Sequence, residues 1–354
     1  MVLKDIITNI ERIYPRYLAE DWDNVGLQIG SLNKEVKNVL TALEITEAVV
    51  EEAIQKQIDV IVVHHPIIFK PLTNLYYDEA QNKKIIKLIK HDIAVYAAHT
   101  NIDIARGGMN DWLGEIIGLD KGKILKTTKR YALFNAEIQV NLKDIEVILN
   151  ILPKVGIGVN KKKYNYLMSP KVQRYKGIKQ EKEKDIVVIE VLIQENQIYD
   201  LKNILHQLRI KQHILTTLDL YENKNKAIAY GIGRIGYIQP KTLEDLTYFI
   251  AQKFKIDNIR FVGSREKVIK KVAVVGGSGA SYIKEAHKKG CDVLITGDIG
   301  FHAAQEALDL GISLIDATHY IEIVFNDGMA EFLKFFEELN VYASEIDTNP
   351  FENI

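Results

Sequence analysis

Disulfide chemistry is closed to this chain. Among its 354 residues there is one cysteine, Cys291, so no internal bridge can form and thiolate metal sites are disfavoured. In "GCDVLITGD" that thiol reads as a small buried residue. An excess of charge is also missing. The net charge is −1, which gives no overall field to gather nucleic acid or an acidic surface. No apolar run approaches the roughly 18 residues of a membrane span. The opening "MVLKDIITNIERIY" alternates charged and apolar residues at helical spacing, unlike a signal peptide. The expectation is a cytoplasmic protein with no membrane partner. What is present is apolar material: 47% of residues, enough for a sizeable core, at a length that suggests two domains.

The chain reads in three pieces. Residues 1–126 and 232–354 alternate strand and helix, the pattern of an α/β fold with a mainly parallel sheet and flanking helices. In the first piece the periodicity predicts a helix through residues 3–13, strands at 36–45, 58–63 and 92–98, helices near 47–54 and 81–90, and a helix after Gly107-Gly108. In the last it predicts a helix over 241–253, strands at 270–275, 293–297, 312–317 and 341–346, and helices near 301–309 and 320–338. Residues 127–231 change character. Their order β-α-β-β-α-β is the ferredoxin-like pattern, so this piece reads as an insert that interrupts one discontinuous core domain. It holds 18 basic and 11 acidic residues, a surplus of seven that leaves −8 for the remainder. Lys161-Lys162-Lys163 lies in it and reads as a solvated basic face.

Several Val- and Ile-rich runs end in residues able to hold metals. "DVIVVHH" ends on His64 and His65, "IAVYAAHTNID" on His99 and Asp103, "VLITGD" on Asp298, and "SLIDATHYIE" on Asp316, His319 and Glu322. Ligands of open α/β sheets bind beyond the carboxyl ends of the strands, so distant segments can converge there. Pro66 ends its strand and holds His65 extended, which lets two adjacent imidazoles serve different ions. Asp103 is either a turn or cap residue or a carboxylate bridging two cations. His319 and Glu322, three apart on a helix, share a face. Histidine and carboxylate at that spacing occur in dinuclear carboxylate sites. Three histidines and two carboxylates leave open positions, which argues for catalytic rather than structural metal. Around this set, His99 reads as an orienting or proton-moving group and His302 as a proton donor or substrate contact. Asp298 reads as a helix N-cap or as part of the shell around the ligands, Asp316 as a structural acid, and Glu44 as a surface acid or a group leaning toward the site. "GGSGAS" at 276–281 reads as a tight turn between strand and helix.

Taken together, "DWDNVGLQIG" (21–30), "VVHHPIIFKPL" (62–72), "AAHTNIDIARGGMNDWL" (97–113), "GIGRIG" (231–236), "VVGGSGAS" (274–281), "LITGDIGFHAAQEA" (294–307) and "DATHYIE" (316–322) resemble the NIF-three-like family of dinuclear-metal proteins, also named the GTP cyclohydrolase I type 2 family. Its long form carries an insertion resembling PII-like and CutA-like folds. The resemblance implies two divalent metal ions held by His64, His65, Asp103, His319 and Glu322, and a toroidal homohexamer. Zinc suits the donor set, and iron or manganese fit too. Three positions depart from the family pattern. Thr318 stands where glycine is frequent, Glu44 where aspartate is frequent, and "HILTTLDLY" where long members show a His-Pro-Tyr-Glu-like stretch. The last departure leaves a small-molecule role for the insert without that support.

The activity implied by the resemblance is metal-dependent hydrolysis of a nucleotide, with metal-activated hydroxide attacking the purine ring of GTP at C8. His302 or His99 would move protons, and Lys70 or Arg106 would meet the triphosphate. The alternatives are a non-enzymatic metal-binding regulatory protein with the insert as sensor, and a metal-dependent phosphoesterase on nucleic acid. The neutral overall charge counts against the last.

Overall fold

The computed structural model describes residues 1–152, 157, 171–175 and 186–352, and the expected lysine-rich face at 161–163 lies outside them. The chain divides into two compact units, Met1–Thr128 with Tyr230–Ile354, and Lys129–Ala229. It leaves the first within strand β5 (Asp120–Asn141) and returns within β8 (Thr216–Thr242).

The first unit carries two groups of strands where one mainly parallel sheet was expected. The N-terminal part supplies β1 (Gly26–Ile29), β2 (Asn38–Ala42), β3 (Val60–Val63) and β4 (Ala94–Ala97). They form a sheet in the order β1-β4-β3-β2, which ends on β13 (Asn340–Ala343) from the far end of the chain. β2, β3, β4 and β13 pair in parallel, and only β1 runs against its neighbour. Each of β3 and β4 is buried along its whole length, as expected of central strands covered on both faces. Leu40, Ile61, Val63, Val95, Ile85 and Leu88 belong to one core cluster, to which α3 (Ala80–Lys90) contributes the last two.

The C-terminal part forms its own array. β10 (Val268–Ser278), β11 (Val293–Gly297) and β12 (Ser313–Asp316) are parallel neighbours, while β9 (Arg260–Val262) and the second half of β8 flank them antiparallel. Hydrophobic runs identify buried strands but carry no partner code, which is why the sequence merges two sheets into one. It also misses β1 and β9, four- and three-residue strands that lie in no continuous apolar run. "GGSGAS" is not simply a turn: β10 continues through Gly276 and Gly277 to Ser278. The expected helix over 320–338 is a 3₁₀ turn, His319–Ile323, followed by α11 (Val324–Leu333).

The second unit contains the outer part of β5, α6 (Ile145–Ile151), β6 (Lys171–Tyr175), β7 (Ile186–Gln194), α7 (Ile198–Gln212) and the first part of β8. β7 lies between β6 and β5 and is antiparallel to both. Its core draws Ile138, Val140 and Ile189 from strands, and Ile148, Leu201 and Leu205 from helices.

One buried cation ties the first unit together. Arg234, on β8, is 2% exposed. Its Nε and Nη2 donate to the two oxygens of Asp111 on α5 (Met109–Ile117), each at 2.7 Å. Nη1 donates to the carbonyls of Gly231 and Gly233, and Nη2 to that of Ala105. All five guanidinium N–H groups are therefore used. Asp111 also accepts from the Gly107 amide, where a φ of +70° suits glycine. Arg234→Ala would leave three carbonyls and a carboxylate without their donors. Truncating one member of a buried pair costs about 3–5 kcal/mol. Denaturant unfolding of metal-free protein should show a loss of that size, and a loss under about 1 kcal/mol would refute this role.

Candidate metal centre

β3 and its parallel neighbours deliver the first ligands. The His64 amide donates to Ala42 and the His65 amide to Leu43, so both histidines leave the sheet directly at its carboxyl edge. His64 is fully buried. Its Nδ1 donates to the Ala98 carbonyl at 2.8 Å, which fixes the tautomer and leaves the Nε2 lone pair facing inward. β4 ends one residue before Ala98, and α4 (Thr100–Ile104) then carries Asp103. From the other sheet, β12 ends at Asp316 and the 3₁₀ turn supplies His319 and Glu322. Residues three apart eclipse in a 3₁₀ helix, so this pair shares a face more closely than on the α-helix expected.

These residues converge on one carboxylate oxygen. Glu322 Oε2 lies 3.1 Å from His65 Nε2, 3.2 Å from His319 Nε2 and 3.6 Å from His64 Nε2. Asp103 Oδ1 lies 3.7 Å from His64 Nε2. Three overlapping groups have donor atoms close enough for a metal: His64 with Asp103 and Glu322, His65 with His319 and Glu322, and His64 with His65 and His99.

The donor set fits a cation for a physical reason. Among the described residues, neither His64 Nε2 nor Asp103 Oδ1 has a hydrogen-bond partner, although both are buried. Lone pairs facing one another without a proton or cation between them are costly. Burial, and after it the Glu322 charge, push the Asp103 carboxyl well above the usual range. Burial also opposes ionisation of Glu322, but its proximity to His64 and hydrogen bonds from His319 and His65 outweigh that and hold it well below the usual range. Burial drives His64 down to about 4, against the pull of Glu322. His319 rises to about 9, first through its hydrogen bond to Glu322 and with help from Asp298, against its partial burial.

The backbone is shaped around the same carboxylate. A Cβ on Gly277 would sit 2.6 Å from Glu322 Oε1, and its φ is +56°. A Cβ on Gly297 would strike the Thr318 carbonyl group. Thr318 itself holds φ +56° and ψ 166°, a conformation rare outside glycine. Asn110, fully buried, donates to the Asp103 carbonyl and accepts from the Gly276 amide. It thereby ties the Asp103 loop to β10.

Other expected residues fall in different places. Asp298 is not an N-cap: Gly300 caps α10 (Phe301–Leu310). Asp298, at φ +55°, instead accepts from His319 Nδ1 at 2.6 Å. Its left-handed backbone turns the chain before the helix begins, which frees the side chain for that contact. Asp316 pairs with Arg260 and accepts from the Thr318 amide, a structural use. His302 enters none of the three groups, and its ring packs on Phe301. Glu44 enters none either. Lys70 is exposed and Arg106 half-buried. Cys291 is buried, and burial raises its thiol to about 11. His99 stands against His64 and His65, with ring centroids at 5.0 and 5.6 Å. Its Nδ1 donates to Asp23 at 2.9 Å. Asp23, like Asn110, has no apolar run beside it, so strand-end reasoning passed over it.

The chain is similar to known proteins over nearly its whole length. The family Duf34/NIF3 (NGG1p interacting factor 3) matches residues 1–350. A Bacillus subtilis protein named "GTP cyclohydrolase 1 type 2 homolog" is 35% identical over 98% of this chain and 97% of its own length. A crystal structure of a Bacillus cereus protein related to NIF3 is 35% identical, covers 100% of this chain and 99% of its own, and superposes with a TM-score of 0.77. A Staphylococcus aureus crystal structure is 34% identical with a TM-score of 0.74, and covers the same shares. No helix among the described residues is long and apolar enough to cross a membrane.

In the metal-free site His319, raised to about 9, is protonated at pH 7, and the Asp103 carboxyl is pushed well above its usual range; a cation needs the lone pairs of both. Metal uptake should therefore release protons and strengthen as pH rises toward 9. Calorimetry in buffers of different ionisation heat measures this, and uptake without proton release would contradict it. Asp298→Asn, which weakens the support of His319, should lower metal affinity roughly 10- to 100-fold.

Proposed function

The chain belongs to the Duf34/NIF3 family, and from that premise we propose that it is a dinuclear metal-dependent hydrolase acting on GTP. The observation that carries the metal half is the Glu322 oxygen shared by three imidazoles. His64, Asp103 and Glu322 would hold a cation on the buried side, and His65 and His319 with Glu322 would hold one on the open side. Zinc fits three imidazoles and two carboxylates, as do iron and manganese. His319 is 45% exposed at its side chain, so one side of the site faces solvent, as a catalytic centre requires. When bound, such ions polarise substrate oxygens and lower the pKa of water.

The chain's own residues supply the rest. His64 is locked by Ala98 and His319 by Asp298, so both imidazoles are oriented before any ligand arrives. Of the two expected proton carriers, His99 is beside the cluster. Burial disfavours its charged form, but the hydrogen bond to Asp23 outweighs that and raises its pKa. The hydrolytic reading draws on the name of the B. subtilis relative. Self-association into the expected homohexamer belongs to the same proposal, supported by exposed Phe301 and Leu308 on α10.

Residues 127–231 we read as a ferredoxin-like insert. The strand order β6-β7-β5-β8 supports this. Each β-α-β pair, β5 with β6 and β7 with β8, is split by one strand of the other pair. A second reading follows from that unit's separate core: a sensor module on a non-catalytic metal-binding protein.

Metal-loaded protein should convert GTP to a ring-opened product, followed by chromatography and absorbance. His64→Ala should abolish conversion, and His99→Gln should slow it roughly 10²- to 10⁴-fold with metal content unchanged. Nucleotide binding without turnover in fully loaded protein would favour the sensor reading.

A further inference from the structure

Two aromatic side chains stand at the edge of the metal centre without a role in the core. Trp22 is 60% exposed and Phe69 45% exposed. Their rings are 5.8 Å apart and inclined at 55°, so neither covers the other's face. Trp22 also touches His99 edge-on, with centroids 6.1 Å apart, and His99 in turn abuts His64 and His65. The other tryptophan, Trp112, behaves as core residues do: it is buried and packs edge-on to Tyr14.

Single exposed aromatics need no explanation. This pair is held in place, however, and by polar bonds rather than by packing. On the Trp22 side, Asp23 accepts from His99, from the Thr100 amide and from the Thr100 hydroxyl, and the Glu20 amide donates to Thr100 Oγ1. On the Phe69 side, Asn24 donates to the Ile68 carbonyl and Gln28 accepts from the Ile68 amide. The two loops are thus fixed to each other and to the histidine cluster while their rings stay open. Rigid aromatic surface beside a few converging polar groups is the composition of a small-molecule site.

We propose that Trp22 and Phe69 form a stacking platform for a planar nucleobase and position it beside His65 and His99. The proposal names the recognition element for the substrate class assigned above, and in that respect rests on that reading. A base presents a π-face to the indole and a polar edge to the imidazoles, which is the division of chemistry found here. Stacking accounts for a specific loss of affinity on truncation, roughly 5- to 150-fold per base, with no effect on phosphate contacts.

The test uses full-length, metal-loaded protein with guanosine and inorganic tripolyphosphate as separate probes. Equilibrium dialysis should show guanosine binding weakened roughly 5- to 150-fold in Trp22→Ala and largely restored in Trp22→Phe, with metal content unchanged. In a Trp112→Phe background, where Trp22 is the one remaining indole, guanosine should quench fluorescence saturably and tripolyphosphate should not. Quenching by guanosine in a protein that never turns over GTP would keep the platform and overturn the hydrolase reading. GTP turnover with the same KM in Trp22→Ala would do the reverse. Unchanged guanosine affinity in Trp22→Ala, or an altered sedimentation coefficient with no guanosine quenching in wild type, would overturn the platform.

Discussion

Two carboxyl groups buried against one neutral imidazole are the constraint on which the site depends. Glu322 and Asp103 both face His64 Nε2, and the Ala98 carbonyl has already taken that ring's proton-bearing nitrogen. Without a cation the Asp103 carboxyl is pushed well above the usual range while Glu322 is held well below it, because two adjacent buried carboxylates cannot both ionise cheaply. Such an arrangement is a poor way to stabilise a fold, since an apolar core of the same volume would do better. Its persistence follows from what surrounds it.

The surroundings fix positions rather than add burial. Gly276 and Gly277 clear the space that Glu322 occupies. Thr318 and Asp298 both hold positive φ at strand ends, and the turn this gives the chain brings His319 onto Asp298 and Glu322. Backbone strain of about 1–3 kcal/mol per residue is tolerable because β11 and β12 are locked in register on either side. Asn110 and Arg234 play the matching part for the Asp103 loop, one through a buried amide and the other through five donated hydrogen bonds. The same hydrophobic strands that supply stability thus also set the coordinates of the polar cluster.

How much of this the sequence revealed depends on the kind of signal. Strand existence was legible at β3, β4, β11 and β12, where short apolar runs stand out from their surroundings. The groups ending those runs, His64, His65, Asp103, His319 and Glu322, do meet. Partnering of strands was not legible, because parallel strands buried on both faces look alike, and β13 could join β2 only through a contact 302 residues away in sequence. Residues acting through hydrogen bonds were also hidden. Asp23, Asn110 and Arg234 sit in turns, a helix and a glycine-rich strand, with no periodicity to mark them. Asp298 is legible for its place after a strand, but the sequence leaves it between cap and ligand support, since both favour the same residue type at the same position.

The loop from Glu20 to Gln28 joins the two halves of the chemistry. Its carboxylate, Asp23, orients His99 from behind, and its indole, Trp22, borders the same imidazole in front. A shift of this loop would therefore move His99 and the aromatic surface together, while His64, Asp103 and Glu322 stayed fixed in the interior. Under the function proposed above, metal retention would fall to one part of the unit and substrate placement to another. The buried side answers to the sheet edges, and the open side answers to a loop clamped by Thr100 and Ile68.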